Sequence, residues 1–344
     1  MVNSALSVLV IGTGKRVLET ALPAFATQPD RFVIRHLFAR RAKTVTAAGT
    51  EHSVAAFDDL EPEHLDGIDL IYLAVTKDAV PSVLERLSNL AVNSIDLLID
   101  TPVVRFKHFR HTARLKAFRH TWVAEDIAYL PWLETVQAAL ASGAYGSLRT
   151  LVMNQSAYAY HGVALAKALA SCRTVRSGRR VANTSRAGLR SMIMGNGVRV
   201  QIIEPRNYQV GTLLFAGSKG TLADFAFADD SAILKSTIEN GRMTGFTCGD
   251  HATSLSPEES ELTVGEVQDR SVTAQMNSCK RVGFARLLKA IHAGHGAYPL
   301  DDAMDDMVVD YHLEKFARYR ANPLTSYRSP LARTLLRTGT RLGG

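Results

Sequence analysis

Two glycines separated by one residue, Gly12 and Gly14, stand between the apolar run LSVLVI and a segment with helical periodicity. Gly12 permits a tight turn after a strand, and Gly14 lets main-chain N–H groups at a helix N-terminus approach a pyrophosphate. A G-x-G pair alone is a weak signal, but this one heads a series of βα units. Val17, at the place of the usual third glycine, does not forbid binding. We predict a dinucleotide site that includes Gly12, Thr13, Gly14 and Arg16.

The type of nucleotide is indicated at the end of the second apolar run. An NAD site normally carries Asp or Glu there, to accept hydrogen bonds from the ribose hydroxyls. This chain has Ala39, Arg40 and Arg41 instead. Paired guanidinium groups suit a 2′-phosphate, so the sequence favours NADP, with NAD still possible. The alternative is two exposed arginines in a loop.

A second group of cations lies in the middle of the chain. Residues 172–207 contain eight arginines and one acid, Glu204, within a chain of net charge +7. Arg186 and Arg190 are four residues apart in a strand pattern and hence on one face. We predict that they bind an anionic substrate in bidentate fashion. A solvated basic face or a subunit interface is the alternative.

The elements that must position these residues begin with a parallel sheet. Short apolar runs at 6–12, 32–39 and 69–75 are each followed by a segment of helical period, and SIDLLIDTP forms a fourth run that ends at Pro102. Alternation of strand and helix at this spacing predicts a doubly wound Rossmann domain over residues 1–122.

The pattern changes in the second part of the chain. Strands are predicted at 147–160, 186–194, 198–205 and 209–217, with turn signals between them, which is typical of an antiparallel sheet. Two helices follow, around Leu287 and Met307, and residues 321–344 are predicted to be an extended basic tail. Residues 236–274 carry no clear pattern. We predict an α+β substrate and oligomerisation domain over 123–320.

Several motifs occur in an order that resembles one family, the glucose–fructose oxidoreductase and inositol dehydrogenase (Gfo/Idh/MocA) group. They are the G-x-G turn, the AVTK end of the third strand, Asp100-Thr101-Pro102, Glu125-Asp126 with Pro131, Ser142 to Gly146, and GSKGTL at 217–222. The resemblance covers most of residues 6–320 and rests on the order of motifs that are individually degenerate. It implies an N-terminal Rossmann domain and a C-terminal domain with a large, open, mostly antiparallel sheet. It also implies that cofactor and substrate meet between the domains, and that dimers or tetramers form through the sheets.

The same resemblance suggests which residues do chemistry. It adds Val75, Thr76, Asp100 and Pro102 to the cofactor site. In the family's tripeptide that corresponds to Asp100-Thr101-Pro102, the middle residue is a lysine that transfers a proton. This chain has Thr101 there, whose hydroxyl donates hydrogen bonds but is no general base near neutrality. Lys77 or Lys167 is an alternative source of an ammonium group.

The family's D-x-x-x-H segment is matched only at its histidine. Ala157 and Ala164 stand at the two aspartate positions, and His161 matches the histidine. An imidazole titrates near neutral pH, so His161 is the acid–base candidate; the alternative is that it caps a helix near Val163. Tyr158 and Tyr160, predicted to share one face of a strand, line the pocket or pack. The catalytic candidates are His161, Thr101 and Tyr160, and the substrate-binding candidates are Tyr158, Arg186, Arg190 and Lys167.

Taken together, these residues predict an NAD(P)-dependent oxidoreductase that moves hydride to or from a carbonyl/alcohol or imine/amine carbon of a small polar, anionic or sugar-like substrate. The alternatives are a non-catalytic NAD(P)-binding sensor or accessory protein, and an enzyme of net non-redox reaction that retains its cofactor. A basic interaction protein is a weaker alternative.

Composition bounds the location and partners of the protein. No apolar run suits a membrane span, and three scattered cysteines fit a cytoplasmic location. We expect a homodimer or homotetramer. Few aromatics argue against nucleic acid, and the paired histidines His108/His111 and His292/His295 lack partners for a metal site.

Overall fold

A computed structural model describes residues 4–182, 187–228, 231–264 and 271–338. Two compact units divide the chain. The described residues of the first unit are 4–126, 284–304 and 330–338, and those of the second unit lie within 127–283 and 305–329. No helix in the described ranges is both long enough and apolar enough to cross a bilayer.

The strands are β1 (Leu6–Ile11), β2 (Phe32–Ala39), β3 (Lys43–Ala47), β4 (Thr50–Ala56), β5 (Leu70–Leu73), β6 (Asp96–Asp100), β7 (Thr121–Ala124), β8 (Leu148–Asn154), β9 (Val175–Ala182), β10 (Gly188–Met194), β11 (Arg199–Glu204), β12 (Thr212–Gly217), β13 (Thr221–Ala223), β14 (Ala232–Glu239), β15 (Arg242–Cys248), β16 (His251–Ser254), β17 (Tyr298–Pro299) and β18 (Arg318–Arg320). The α-helices are α1 (Leu22–Ala26), α2 (Val80–Ser88), α3 (Leu133–Ala141), α4 (Ala159–Leu169), α5 (Pro257–Glu261), α6 (Met276–His292), α7 (Leu300–Phe316) and α8 (Pro330–Thr338). Turns of 3₁₀ helix occupy Phe57–Asp59, Pro62–Leu65, Phe106–Ala117 and Asp126–Tyr129, and a π-helical turn occupies Val17–Ala21.

The sheet of the first unit has the strand order β3-β4-β2-β1-β5-β6-β7-β17. The six strands from β4 to β7 run parallel, and β3 and β17 add antiparallel edges. These six strands have the order of a dinucleotide-binding sheet, with the reversal at β1 where a ligand binds beyond the carboxyl ends. The predicted doubly wound domain is confirmed.

The helical segment that follows β1 is continuous from residue 15 to residue 26 and contains the π-helical turn. In that turn the N–H of Leu22 donates to the carbonyl of Val17, five residues back. Pro23 has no N–H and its ring crowds the carbonyl four residues earlier, so a local change of helical register is expected beside it. Val17 is fully buried, so the helix packs on the sheet through a side chain where a glycine is usual.

The predicted helix after the second strand is wrong. The chain forms the hairpin β3–β4 there, with Ala48 and Gly49 at its tip at φ 50° and 75°. Two successive residues at positive φ make the kind of turn that matches the twist of a two-stranded hairpin. Three consecutive β-branched residues, Thr44, Val45 and Thr46, favour a strand over a helix.

The second unit contains a ten-stranded sheet in the order β16-β15-β14-β13-β12-β8-β11-β10-β9-β18. Its neighbours are antiparallel except for the pairs β8–β11 and β13–β14. Alternate residues of the central strands, such as Leu151, Met153 and Phe215, are buried and form the core face. The predicted large, mostly antiparallel sheet is confirmed.

Two predictions in the second half of the chain are wrong. The strand predicted over 147–160 ends at Asn154, and Tyr160 and His161 lie in α4, with Tyr158 just before it. A carboxylate oxygen of Glu204 accepts from the Ala159 N–H at the start of this helix, at 3.1 Å. The extended tail predicted over 321–344 contains α8, because its apolar residues Ala332 and Leu336, one turn apart, are buried.

A steric constraint at Gly12, just after β1, predicts that substitution of Gly12 and of Gly14 will change stability by different amounts. Gly12 has φ 124°, and a Cβ there would lie 2.0 Å from the Ala74 carbonyl oxygen, whereas a Cβ on Gly14 would meet no atom within 4 Å. We expect Gly12→Ala to lower the free energy of unfolding by about 3 kcal/mol, from backbone strain and overpacking. Gly14→Ala should change it by less than about 0.5 kcal/mol. Urea denaturation measures both, and equal effects would contradict this account.

Candidate functional site

The turn after β1 leaves space beside its backbone. The Gly12 N–H donates to the Phe38 carbonyl at 2.7 Å, which ties the turn to β2. Gly14 faces open space, and the helical segment begins at the next residue. The first N–H groups of a helix lack partners within the helix and attract anions. The turn therefore fits the pyrophosphate of a dinucleotide.

Two unpaired cations follow β2. Arg40 and Arg41 are exposed, and neither makes an ion pair with a residue that the structure describes. Guanidinium groups with no carboxylate to balance them retain their donors for a phosphate. The end of β2 therefore carries two exposed positive charges.

The remaining cofactor candidates of the first unit lie at one edge of the sheet. Val75 and Thr76 follow β5, and Thr101 and Pro102 follow β6 and are joined by a cis peptide bond. Because β1, β5 and β6 are adjacent and parallel, their carboxyl ends lie side by side. The fold thus brings these residues and the glycine turn to the same edge.

A half-buried ionic cluster centred on Arg16 occupies this edge. The Arg16 Nη1 lies 2.6 Å from Asp126 Oδ2, and its Nε lies 3.2 Å from Asp100 Oδ1. Its Nη2 also donates to the Ala124 carbonyl at 3.3 Å. Burial disfavours the charged guanidinium, but the carboxylates of Asp126 and Asp100 outweigh it and raise the pKa of Arg16. The predicted cofactor residue Arg16 therefore connects the first helix to the ends of β6 and β7.

Lys77 completes the same cluster. Its Nζ donates to the Asp100 carbonyl at 2.9 Å and lies 3.8 Å from Asp100 Oδ2. Burial and the nearby Arg16 charge lower the pKa of Lys77, against the opposing effect of Asp100. The Lys77 ammonium group thus contacts Asp100, the residue that precedes Thr101. The sequence placed Lys77 at a strand end, but only the paired strands show that it reaches the end of β6.

Three predicted residues of the second unit lie together at the start of α4. The His161 ring centroid is 4.2 Å from that of Tyr160 and 5.1 Å from that of Tyr158, and only 6% of His161 is exposed. Arg206 was not singled out from the sequence, yet its guanidinium carbon lies 4.2 Å from the Tyr158 ring centroid and 5.3 Å from that of Tyr208. The histidine thus lies against two tyrosine rings, one of which also contacts a guanidinium group.

Arg190 is engaged inside the second unit. It is 3% exposed, and its guanidinium lies 3.0 Å from Glu204, 2.5 Å from Asp310 and 2.9 Å from Glu314. These contacts join β10 to β11 and α7. Arg186, its predicted partner, lies outside the described residues.

Lys167 is likewise paired with acids. Its Nζ lies 2.8 Å from Asp305 Oδ2 and 2.6 Å from Asp306 Oδ1. Burial opposes the charge, but the two carboxylates raise the pKa of Lys167. The lysine therefore holds α4 against α7 as a charged group.

The predicted histidine pairs show no metal centre. Across the described ranges there is no group of three or more His, Cys, Asp or Glu side chains arranged to hold a metal ion. The rings of His108 and His111 pack edge to face at 6.0 Å in the 3₁₀ segment.

The acids around Arg190 predict a pH dependence of stability. Burial raises the pKa of Asp310 to about 6, and Arg190 lowers it while Glu204 and Glu314 raise it. A carboxyl group whose pKa is higher in the folded chain contributes stability that is fully present below about pH 4 and lost as the pH rises through 6.

Asparagine does not titrate. We therefore expect the free energy of unfolding of Asp310→Asn to rise by about 2–3 kcal/mol relative to that of the wild type as the pH increases from 4 to 7. Urea unfolding at several pH values measures this difference. Asp301→Asn, on the same helix, is the exposed control. A difference between variant and wild type that does not change with pH would contradict the prediction.

Solved structures provide the comparison with known proteins. No protein-family model matches the sequence, and no curated protein matches it. A myo-inositol dehydrogenase from Corynebacterium glutamicum superposes with a TM-score of 0.60 at 15% identity, over 93% of this chain and 99% of that one. Levoglucosan dehydrogenase in complex with NADH and L-sorbose gives 0.61 at 12% identity, over 91% and 97%.

A regulatory protein has the same fold. The super-repressor mutant of Gal80p from Saccharomyces cerevisiae gives a TM-score of 0.62 at 11% identity, over 94% of this chain and 99% of that one. Identities this low establish the fold alone. The chain has the fold of the Gfo/Idh/MocA-type dehydrogenases, and the resemblance predicted from the order of its motifs is thereby confirmed at the level of the fold.

Proposed function

We propose that this protein is an NAD(P)-dependent oxidoreductase that prefers NADP and transfers hydride to or from a carbonyl/alcohol or imine/amine carbon of a small polar, anionic or sugar-like substrate. The observation that carries the proposal is the open Gly12–Gly14 turn at the reversal point of the first sheet, beside the unpaired Arg40 and Arg41. A phosphate-binding turn and two free cations provide the charge that NADP requires.

The nicotinamide, when bound, supplies the hydride chemistry. In the proposal the backbone at Thr13 and Gly14 binds the pyrophosphate, and Arg40 and Arg41 bind the 2′-phosphate. The edge formed by Val75, Thr76, Asp100 and Pro102 binds the rest of the nucleotide. Arg16 positions Asp100 through its ion pair rather than contacting phosphate, because its donors are already engaged by acids.

Proton transfer is assigned to groups in each unit. Thr101 donates a hydrogen bond to the reacting oxygen or nitrogen, and Lys77, whose Nζ donates to the carbonyl of the preceding residue, Asp100, holds a proton beside it. Burial lowers the pKa of this ammonium group. His161 exchanges a proton with the substrate, with Tyr160 packed on its ring. Tyr158, together with Arg206, contacts the substrate. Arg190 and Lys167 position helices, because carboxylates balance their charges.

The named neighbours support the chemistry in outline. One is a myo-inositol dehydrogenase and another is a levoglucosan dehydrogenase in complex with NADH and L-sorbose, which favours a nicotinamide cofactor and a sugar-like substrate. We further propose a homodimer or homotetramer in the cytoplasm, whose partners are small molecules. The three cysteines, all free thiols, are compatible with a reducing compartment.

A non-catalytic nucleotide-binding sensor is the second candidate. Thr101 replaces the lysine that the family resemblance implies, and a super-repressor has the same fold. A sensor would retain the nucleotide site of the first unit and show no turnover.

Nucleotide binding tests both candidates. We expect NADPH to bind more tightly than NADH, and Arg40→Glu with Arg41→Glu to weaken NADPH about 10- to 100-fold, since the charged hydrogen bonds lost at these two exposed residues together contribute roughly 1.5–3 kcal/mol. NADH affinity should change less than about threefold. Fluorescence titration measures the dissociation constants. Arg35→Glu, an exposed arginine of β2, is the control; absence of binding by either nucleotide at millimolar concentration would refute the proposal.

Turnover separates the enzyme from the sensor. With NADP⁺ and a panel of cyclic polyols, aldoses and ketoses, we expect His161→Asn to lower kcat about 100-fold or more without changing NADPH affinity, because a positioned acid–base group contributes at least that factor. His251→Asn, on β16, is the matched control. Unchanged turnover in His161→Asn would exclude this residue from the mechanism. Nucleotide binding with no turnover across the panel would favour the sensor.

A further inference from the structure

A cavity at the β9–β18 edge of the second unit is lined by cations that form no ion pair with an acid in the described part of the chain. Its volume is about 520 Å³, and its walls include Arg179 on β9, Arg318 and Arg320 on β18, and His312 on α7. A cavity of this size lies within the range of about 300–1,000 Å³ that small-molecule sites occupy. None of these residues belongs to the proposed nucleotide site.

The strand register concentrates positive charge on one face. Arg318 lies directly opposite Arg179, and Arg320 lies opposite Ser177, so the three arginines share a face by two-residue alternation. Like charges directly opposite each other across two strands destabilise the pair. Among the residues that the structure describes, none of the three makes an ion pair.

The local carboxylates are committed elsewhere. Arg180, the next residue on β9, points to the other face, where its Nε lies 3.4 Å from Glu314 and 3.9 Å from Glu204. Those same acids also bind Arg190. Glu204 and Glu314 therefore do not balance the positive charges on the face that carries Arg179.

His312 provides a second and independent feature of the cavity. It is 8% exposed, and its Nε2 is buried without a hydrogen-bond partner in the described part of the chain. Burial lowers the pKa of His312. A buried polar atom without a partner is costly, and a bound ligand that pairs with it removes the cost.

We propose that this cavity, whose lining includes residues from both faces of the edge strand β18, binds a phosphorylated small molecule, such as a sugar phosphate. Arg179 and Arg318 hold the phosphate, and the remainder of the ligand extends past the edge of the sheet to His312. Guanidinium groups bind phosphate oxygens in bidentate geometry. The volume exceeds what a free phosphate fills, which favours a phosphate ester over the inorganic ion.

Calorimetric titration at low ionic strength, with NADPH present at saturation, tests the site. We expect glucose 6-phosphate to bind more tightly than inorganic phosphate, and glucose not to bind. Arg179→Gln and Arg318→Gln should each weaken glucose 6-phosphate about tenfold or more. Arg199→Gln, an exposed arginine on β11 outside the cavity, should change it less than twofold.

His312→Phe distinguishes a ligand-binding role from a packing role. Phenylalanine retains the ring contacts and removes Nε2, so the chain should remain folded while its affinity for glucose 6-phosphate falls severalfold. The melting temperature verifies folding. Failure of both phosphates to bind at about 10 mM, an equal loss in Arg199→Gln, competition with NADPH, or unchanged affinity in Arg179→Gln and His312→Phe would each overturn the proposal. The cavity shares no residue with the glycine turn, so loss of either activity leaves the other proposal standing.

Discussion

The ionic contact of Arg16 with Asp100 and Asp126 organises the edge of the first sheet where the carboxyl ends of β1, β5 and β6 lie side by side. It connects the first helix after the glycine turn to the ends of β6 and β7, two strands that are distant in sequence. The Arg16 guanidinium is half-buried, so removing one of its acidic partners leaves a partly desolvated charge that is not compensated. The same Asp100 also holds Lys77, so the positions of Thr101 and of the nearby ammonium group depend on this cluster.

Positive charge has two different uses in this chain. Where an arginine or lysine is buried, acids surround it and the group holds elements together, as Arg190 and Lys167 do. Where arginines are exposed and lack acids, as at Arg40 and Arg41 and at the β9–β18 edge, the charge is available for a ligand. The net charge of +7 alone does not distinguish these uses, because it counts both equally.

The fold leaves the choice between enzyme and sensor to a few side chains. Dehydrogenases and a repressor share this architecture, so the chemistry depends on which groups stand at the strand ends. In the first unit, the glycine turn is open and the half-buried Lys77 donates to the carbonyl of the residue before Thr101. In the second unit, the ring of the buried His161 lies against those of Tyr158 and Tyr160. The proposed chemistry depends on these side chains.

The sequence alone determined the parallel sheet, the large antiparallel sheet and the glycine turn, because apolar period and turn residues are local signals. It missed the β3–β4 hairpin, the start of α4 and the helix α8, where tertiary contacts outweigh short patterns. Only the tertiary structure decided which charges are paired. Arg190 lies more than 110 residues from Asp310 in sequence, and Arg16 and Asp126 are similarly distant, so no local pattern reveals their contact. Ion pairing is a property of elements brought together by burial, and that burial depends on the whole chain.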